Sequence, residues 1–186
     1  MRIKSEKLIE DLIERTRANL NEVEKLKNQP DAALNWKSKP ESWSVLECIQ
    51  HLNLYADYYN PEISKRINEK QHPSEENYKS GLSGNYFANM MLPREKPNKM
   101  KTFRDKNPLH SKLDRSVLDA FIHNQITMIE LLNKSRSVSL NKTKCNISIT
   151  KWLKLKLGDT FRVVIYHNQR HILQANKAIK AFSERL

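Results

Sequence analysis

Glycine, cysteine and long apolar runs are all scarce in this chain of 186 residues. It has three glycines, far below the usual share of about 7%, and folds built from many hairpins need glycine at tight turns and bulges. A β-rich architecture is therefore disfavoured. Two cysteines exclude a disulfide-rich scaffold. The absence of an apolar run of about eighteen residues argues against a transmembrane helix.

The N-terminal residues lack the features of a secretory signal, because residues 1–12 alternate charged with apolar side chains. We therefore expect a cytoplasmic protein, where a reducing environment keeps both cysteines as thiols. The length suits a single domain over residues 1–186, large enough to bury a core without a disulfide or a metal.

Positive charge is concentrated in one region. Residues 94–162 hold sixteen Lys and Arg against six Asp and Glu, which is +10 of the net charge of +12. Two clusters stand out, one of Arg94, Lys96, Lys99, Lys101, Arg104 and Lys106, and one of Lys142, Lys144, Lys151, Lys154 and Lys156. They are either solvated loops or a positive rim that attracts an anionic small molecule. Nucleic-acid binding is disfavoured, because no helix-turn-helix, zinc finger or RNP-type motif accompanies the charge.

Apolar residues recur with helical period in four segments, which cover residues 3–27, 44–67, 113–133 and 159–182. Ser44 and Glu47 have the spacing of a capping box at the start of the second segment. Residues 147–157 alternate apolar with polar side chains and are expected to be extended. The pattern predicts an all-α protein, a four-helix bundle with a long crossover connection between its second and third helices.

That connection, residues 80–111, is too long for a mere linker and is typical of the lid or wall of a site. Its apolar residues 86–92 are expected to form one or two helical turns.

Three histidines are the candidate metal ligands. His167 and His171 are four residues apart, so they share one face of the last helix and can bind one ion. Six histidines in a chain of this length give such a pair in roughly one sequence in five, so the pair alone is a weak motif. His51 beside the apolar stripe of the second helix is the candidate third ligand, the alternative being a hydrogen-bonded core histidine. The other histidines (His72, His110 and His123) are expected at the surface.

Several segments together resemble the DinB-like superfamily of four-helix-bundle metalloproteins. They are WSVLECIQHL at residues 43–52, LGDTF at residues 157–161 and HNQRHILQA at residues 167–175, with residues 84–93 and Pro108 between them. In that family a histidine of the second helix and an HxxxH pair of the last helix bind one divalent metal. The resemblance implies that His51, His167 and His171 are the ligands, and none of the three positions is altered here.

Three neutral imidazoles leave open positions on a divalent ion, as in a catalytic site, and they do not select among Ni, Zn, Fe and Mn. Characterised relatives in the resembled family use low-molecular-weight thiols such as bacillithiol and mycothiol. The resemblance therefore implies a metal-dependent, thiol-dependent transferase or a related enzyme. The basic connection of residues 94–106 agrees with such an anionic cofactor, since it could form a positive mouth over the site.

Two other functions remain open. One is a hydrolase that uses metal-bound water, although Asn168 occupies the position where HExxH proteases carry their general base. The other is a non-catalytic metal-binding module, as in a stress response. A homodimer is also expected, from the resemblance and from apolar residues on exposed helix faces.

Four more residues are candidates for the pocket or for contacts to the ligands. Tyr55, one helical turn after His51, could hydrogen-bond a bound ligand or simply fill the core. Cys48 is an auxiliary ligand or thiol, or else a small buried helix residue. Trp43 is a hydrophobic staple or a pocket wall. Arg170 pairs with an anionic substrate or forms a surface salt bridge.

Overall fold

The computed structural model describes residues 1–94 and 101–185, and this part of the chain is mostly helical, as predicted. Its α-helices are α1 (Ser5–Leu26), α2 (Asp31–Asn35), α3 (Val45–Asn68), α4 (Leu82–Met91), α5 (Ser116–Lys134) and α6 (Leu157–Ser183). Its strands are β1 (Arg2–Lys4), β2 (Asn77–Lys79), β3 (Lys144–Ile147) and β4 (Thr150–Lys156). Short 3₁₀ turns occur at Arg104–Lys106 and Ser135–Ser137.

The four long helices, α1, α3, α5 and α6, correspond to the four periodic segments, with shifted ends. The first begins at Ser5, because residues 2–4 instead pair antiparallel with β2. The third begins at Ser116, where the Asp114 carboxylate accepts a hydrogen bond from the Ser116 backbone N–H. The last begins at Leu157, so that residue belongs to the helix and not to the extended segment.

Contacts among the long helices form the core. The α1 helix packs against α5 and α6, and α3 packs against the same two helices. Two apolar clusters fill the space between them, one containing Leu12, Ile63, Met128 and Phe161 and the other Val23, Ile49, Phe121 and Ile172. Each such buried side chain contributes about 1.5–3 kcal/mol relative to exposure. This packing holds α3 and α6 side by side.

Within residues 147–157, which were expected to be extended, residues 150–156 form one strand of a hairpin, whereas Ile147 ends the other strand and residues 148–149 form the turn. The β3 and β4 strands pair antiparallel, with Cys145 opposite Leu155. Leu155 is buried, whereas Trp152 and Lys154 are exposed, so the alternation in the sequence separates the two faces as expected. The β3 strand and the β1–β2 pair were not predicted, so the described part of the chain contains two small two-stranded sheets beside its helices.

The α4 helix lies within the long connection and is longer than the one or two turns expected. It packs on the first turns of α6 at a buried carboxylate, Asp159. The Tyr78 hydroxyl donates to Asp159 Oδ1 at 2.5 Å, and the Gly81 backbone N–H donates to Oδ2 at 2.9 Å. Burial raises the pKa of the Tyr78 phenol, so it remains a donor. These bonds attach strand β2 and the start of α4 to α6.

Candidate metal centre

The three predicted histidines lie together between α3 and α6. His51 projects from α3, and His167 and His171 project from adjacent turns of α6. One nitrogen from each ring can be chosen so that all three atoms lie within 4.8 Å of one another, an arrangement that could hold a metal ion. The His51 and His167 Nε2 atoms are 3.3 Å apart. When two imidazole nitrogens bind one ion in tetrahedral geometry, each about 2.0–2.1 Å from the ion, the two nitrogens are about 3.3 Å from each other.

Hydrogen bonds to the other ring nitrogens orient two of these histidines. The His51 Nδ1 atom lies 2.6 Å from the Lys106 backbone carbonyl oxygen, which can only accept a hydrogen bond. The His171 Nδ1 atom lies 3.0 Å from Gln174 Oε1, which is also an acceptor. Both Nδ1 atoms therefore carry a proton, and in the neutral rings the Nε2 lone pairs remain available.

Burial keeps the cluster neutral. It lowers the pKa of His51 to about 4 and that of His171 to about 3. Burial also lowers the pKa of His167, and the neighbouring His171 and His51 add to this effect. Charged imidazoles are disfavoured here because they lose hydration and repel one another. Neutral imidazole is the form that binds a metal ion.

Aromatic side chains enclose the histidines. Trp43, at the entrance to α3, has its ring centroid 4.7 Å from that of His51 and 5.6 Å from that of His171. Tyr55 lies one turn after His51, and its ring is 4.8 Å from that of His167. Burial raises the pKa of Tyr55 to about 12, so its phenol stays protonated. Trp43 and Tyr55 therefore form walls of the candidate site.

The segment that supplies the Lys106 carbonyl is attached to the start of α3. Ser44 and Glu47 form the predicted capping box, with both reciprocal hydrogen bonds present. The buried Glu47 carboxylate also accepts from Lys37 Nζ at 2.6 Å and from the His110 backbone N–H at 2.7 Å. Glu47 thus links the helix start to the connection that orients His51.

A cavity of about 810 Å³ opens onto the histidines. The described residues that line it include four Lys or Arg side chains (Arg94, Lys101, Arg170 and Lys177) and one carboxylate, that of Glu41. The lining therefore carries more positive than negative charge, but only Arg94 and Lys101 of the described residues in the predicted basic cluster contribute to it, since Arg104 and Lys106 do not line the cavity. Lys96 and Lys99, which belong to the same predicted cluster, lie outside the described residues.

Two of these cations meet at the end of α4. Arg170 Nη1 donates to the Met90 carbonyl at 3.1 Å, and Arg94 Nη2 donates to the Asn89 carbonyl at 3.4 Å. Burial, and next the charge of Arg94, lower the pKa of the Arg170 guanidinium. The charge of Arg170 also contributes to the lowered pKa values of His167 and His171, so it lies close to the histidine cluster.

Cys48 is not part of the cavity that the described residues form. Its side chain is fully buried, and burial raises the pKa of its thiol. Of the histidines expected at the surface, His110 and His123 are exposed, and His72 is partly exposed. None of these three belongs to the candidate metal-binding cluster that the described residues form.

Two contacts to the histidines were missed in the sequence. Gln174 could have been found, because it lies three residues after His171 and therefore on the same helical face. The contact of the Lys106 carbonyl with His51 could not have been predicted from the sequence, since every residue carries a backbone carbonyl. Its approach to His51 depends on how the connection folds.

A family model described as the DinB superfamily matches residues 12–175. No curated protein and no solved structure matches the chain significantly. Among the described residues, no helix is both long enough and apolar enough to cross a membrane.

Proposed function

Because the chain belongs to the DinB superfamily, we propose that it is a metal-dependent enzyme with His51, His167 and His171 as the ligands of one divalent ion. Its reaction is a transfer that uses a low-molecular-weight thiol. Nickel, zinc, iron and manganese all suit the three nitrogen donors. The proposal includes a four-helix bundle of α1, α3, α5 and α6, with α4 in the crossover.

The short distance between the Nε2 atoms of His51 and His167 is the main observation that supports the proposal. His51 keeps its proton on Nδ1, so without a cation the His167 ring must donate to His51 across the 3.3 Å gap. A cation would instead use the lone pairs of both rings. The lowered pKa values of the histidines favour metal binding, because protons compete only weakly with a cation for the ring nitrogens.

The side chains near the cluster support a site open to substrate. The three described candidate ligands are all neutral imidazoles, so a bound ion would retain open coordination positions and its positive charge. An ion held there would lower the pKa of a coordinated thiol or water.

The choice of a thiol over water depends on the rest of the cavity. Arg94 and Arg170 supply positive charge beside the cluster, which suits an anionic thiol cofactor. Hydrolysis would require a general base, and Glu41, on an exposed part of the connector, is the carboxylate among the described lining residues. We therefore place thiol transfer before hydrolysis.

The test is a conjugation assay on protein reconstituted separately with each of the four metals. Bacillithiol, mycothiol, glutathione and coenzyme A are each supplied with 1-chloro-2,4-dinitrobenzene, and thioether formation is followed by absorbance. Turnover that requires both metal and one of the thiols, and that is lost in His167→Ala but kept in His123→Ala, supports the proposal. Absence of turnover with every combination contradicts thiol transfer to this class of electrophile.

A further inference from the structure

The cavity is elongated along α6. Residues from Val163 to Ala181 of this helix line it, a span of about 27 Å at about 1.5 Å per residue. His167 and His171 lie between these ends. The histidine cluster therefore faces a trough that extends in two directions, and each direction can hold a different part of a substrate.

The two directions differ in chemistry. The part towards the C-terminus of α6 is mixed, because its lining includes the polar or charged Ser38, Glu41, Gln174 and Lys177 as well as the apolar Trp36, Leu173, Ala178 and Ala181. The other part, which we call the apolar arm, is lined by Tyr59, Phe87, Met91, Ile147, Leu155, Val163 and Val164. None of the residues that define the apolar arm carries a charge.

Helices α3, α4 and α6 and the β3–β4 hairpin enclose the apolar arm and fix its shape. The Gly84–Asp159 contact and the Arg170–Met90 hydrogen bond place α4 along the first turns of α6. On the far side, the Tyr59 hydroxyl contacts Ser148 Oγ at 3.3 Å, which attaches α3 to the turn of the β3–β4 hairpin. The hydroxyl groups at this end thus satisfy each other, so the surface left for a ligand is largely hydrocarbon.

The apolar arm is continuous with the histidine cluster through two tyrosines. The Tyr55 and Tyr59 rings are nearly parallel, with centroids 6.3 Å apart. Tyr55 in turn has its ring centroid 4.8 Å from that of His167. A group that occupied the apolar arm would therefore lie beside the histidines and not in a separate chamber.

We propose that the apolar arm binds an uncharged apolar or aromatic group of the substrate and holds it against the histidine cluster. The assignment of this group to a substrate rests on the proposed function. The binding of an apolar group in the arm depends only on the apolar lining, because the burial of apolar surface needs no metal ion.

The test titrates metal-free protein with N-phenyl-1-naphthylamine, an uncharged aromatic molecule whose fluorescence rises in apolar surroundings. Val163→Phe fills the apolar arm and is expected to weaken binding about tenfold or more. Ala178→Phe adds bulk to the same helix in the mixed part of the cavity, outside the apolar arm, and is expected to leave the affinity unchanged. Melting temperatures of both variants establish that they are folded.

Met91→Trp, which adds bulk to the apolar arm from α4, repeats the test if Val163→Phe does not fold. Absence of binding to the wild type, or equal weakening by Ala178→Phe, overturns the proposal. The metal-ligand assignment is tested independently, because probe binding is measured without metal. His51→Ala protein that loses its metal but still binds the probe would separate the two sites.

Discussion

Gly84 of α4 lies so close to Asp159 of α6 that a Cβ atom at position 84 would be 2.2 Å from the Asp159 Cγ atom. No side chain fits there unless α4 moves away from α6. Since α4 carries Phe87 and Met91, this approach also positions one wall of the cavity. Position 84 therefore requires glycine because of the close packing against Asp159, and not because of its backbone conformation, which is ordinary for a helix.

Gly84→Ala is expected to lower the free energy of unfolding by about 1–3 kcal/mol. The added methyl group collides with the buried carboxylate, and this cost exceeds the gain in helix propensity of about 1 kcal/mol. Urea denaturation measures the change. Ser83→Ala, at an exposed position of the same helix, is the matched control. Unchanged stability of Gly84→Ala would show that the contact is not tight.

Tyr78→Phe is expected to destabilise the protein by about 1–3 kcal/mol, because it removes a hydrogen-bond donor from the buried Asp159 carboxylate. Thermal or urea unfolding measures the loss. Tyr86→Phe removes a hydroxyl from a side chain that is 62% exposed and should have little effect. Equal effects of the two substitutions would contradict the role assigned to Tyr78.

Glu47→Gln is expected to weaken divalent-metal binding by about 10- to 100-fold, the range found when groups that orient a ligand are lost. The substitution removes the charge that faces Lys37 and puts an amide where Glu47 accepts three hydrogen bonds. The connection that orients His51 would loosen. Competition with a chromogenic chelator measures the affinity. Glu24→Gln, on the exposed face of α1, serves as the control, and equal affinities in both variants would count against this role.

Metal-free protein is expected to lose stability as the pH falls from about 6.5 towards 4. The pKa of His51 is lowered from an ordinary value of 6.5 to about 4 in the folded state, so the unfolded chain binds more protons over this interval. The stabilisation is present above the unfolded pKa and is lost as the pH approaches the folded one. His171 extends the loss to about pH 3.

Urea unfolding at a series of pH values, with chelator present, measures this dependence. His51→Gln should make this dependence shallower, because His167 and His171 still contribute to it, whereas the exposed His123→Gln should leave it unchanged. A wild-type profile identical to that of His51→Gln would contradict the burial of a neutral imidazole.

Local patterns in the sequence were enough to predict the long helices and the start of α3. The Ser44–Glu47 capping box depends only on residues three apart, and it forms as predicted. The spacing of His167 and His171 likewise placed them on one helical face. The role of His51 could not be predicted from its own helix, because its position beside His167 results from the packing of α3 against α6. It was predicted by considering distant segments of the sequence together.

Features that depend on distant segments were not predicted. The β1–β2 pair joins residues more than seventy positions apart, and neither strand is long enough to show a periodic pattern. The Gly84–Asp159 contact and the Lys106 carbonyl depend on the path of the long connection. The net charge of that connection was visible in the sequence, but its position near Arg170 was not.

Metal content tests the central claim most directly. Wild-type protein loaded with a divalent ion, desalted and analysed by inductively coupled plasma mass spectrometry is expected to retain about one ion per chain. His51→Ala and His171→Ala should each lose it, because each removes one of three nitrogens that converge. His123→Ala should retain the ion. Unchanged metal content in the His51 and His171 variants would contradict the three-histidine site.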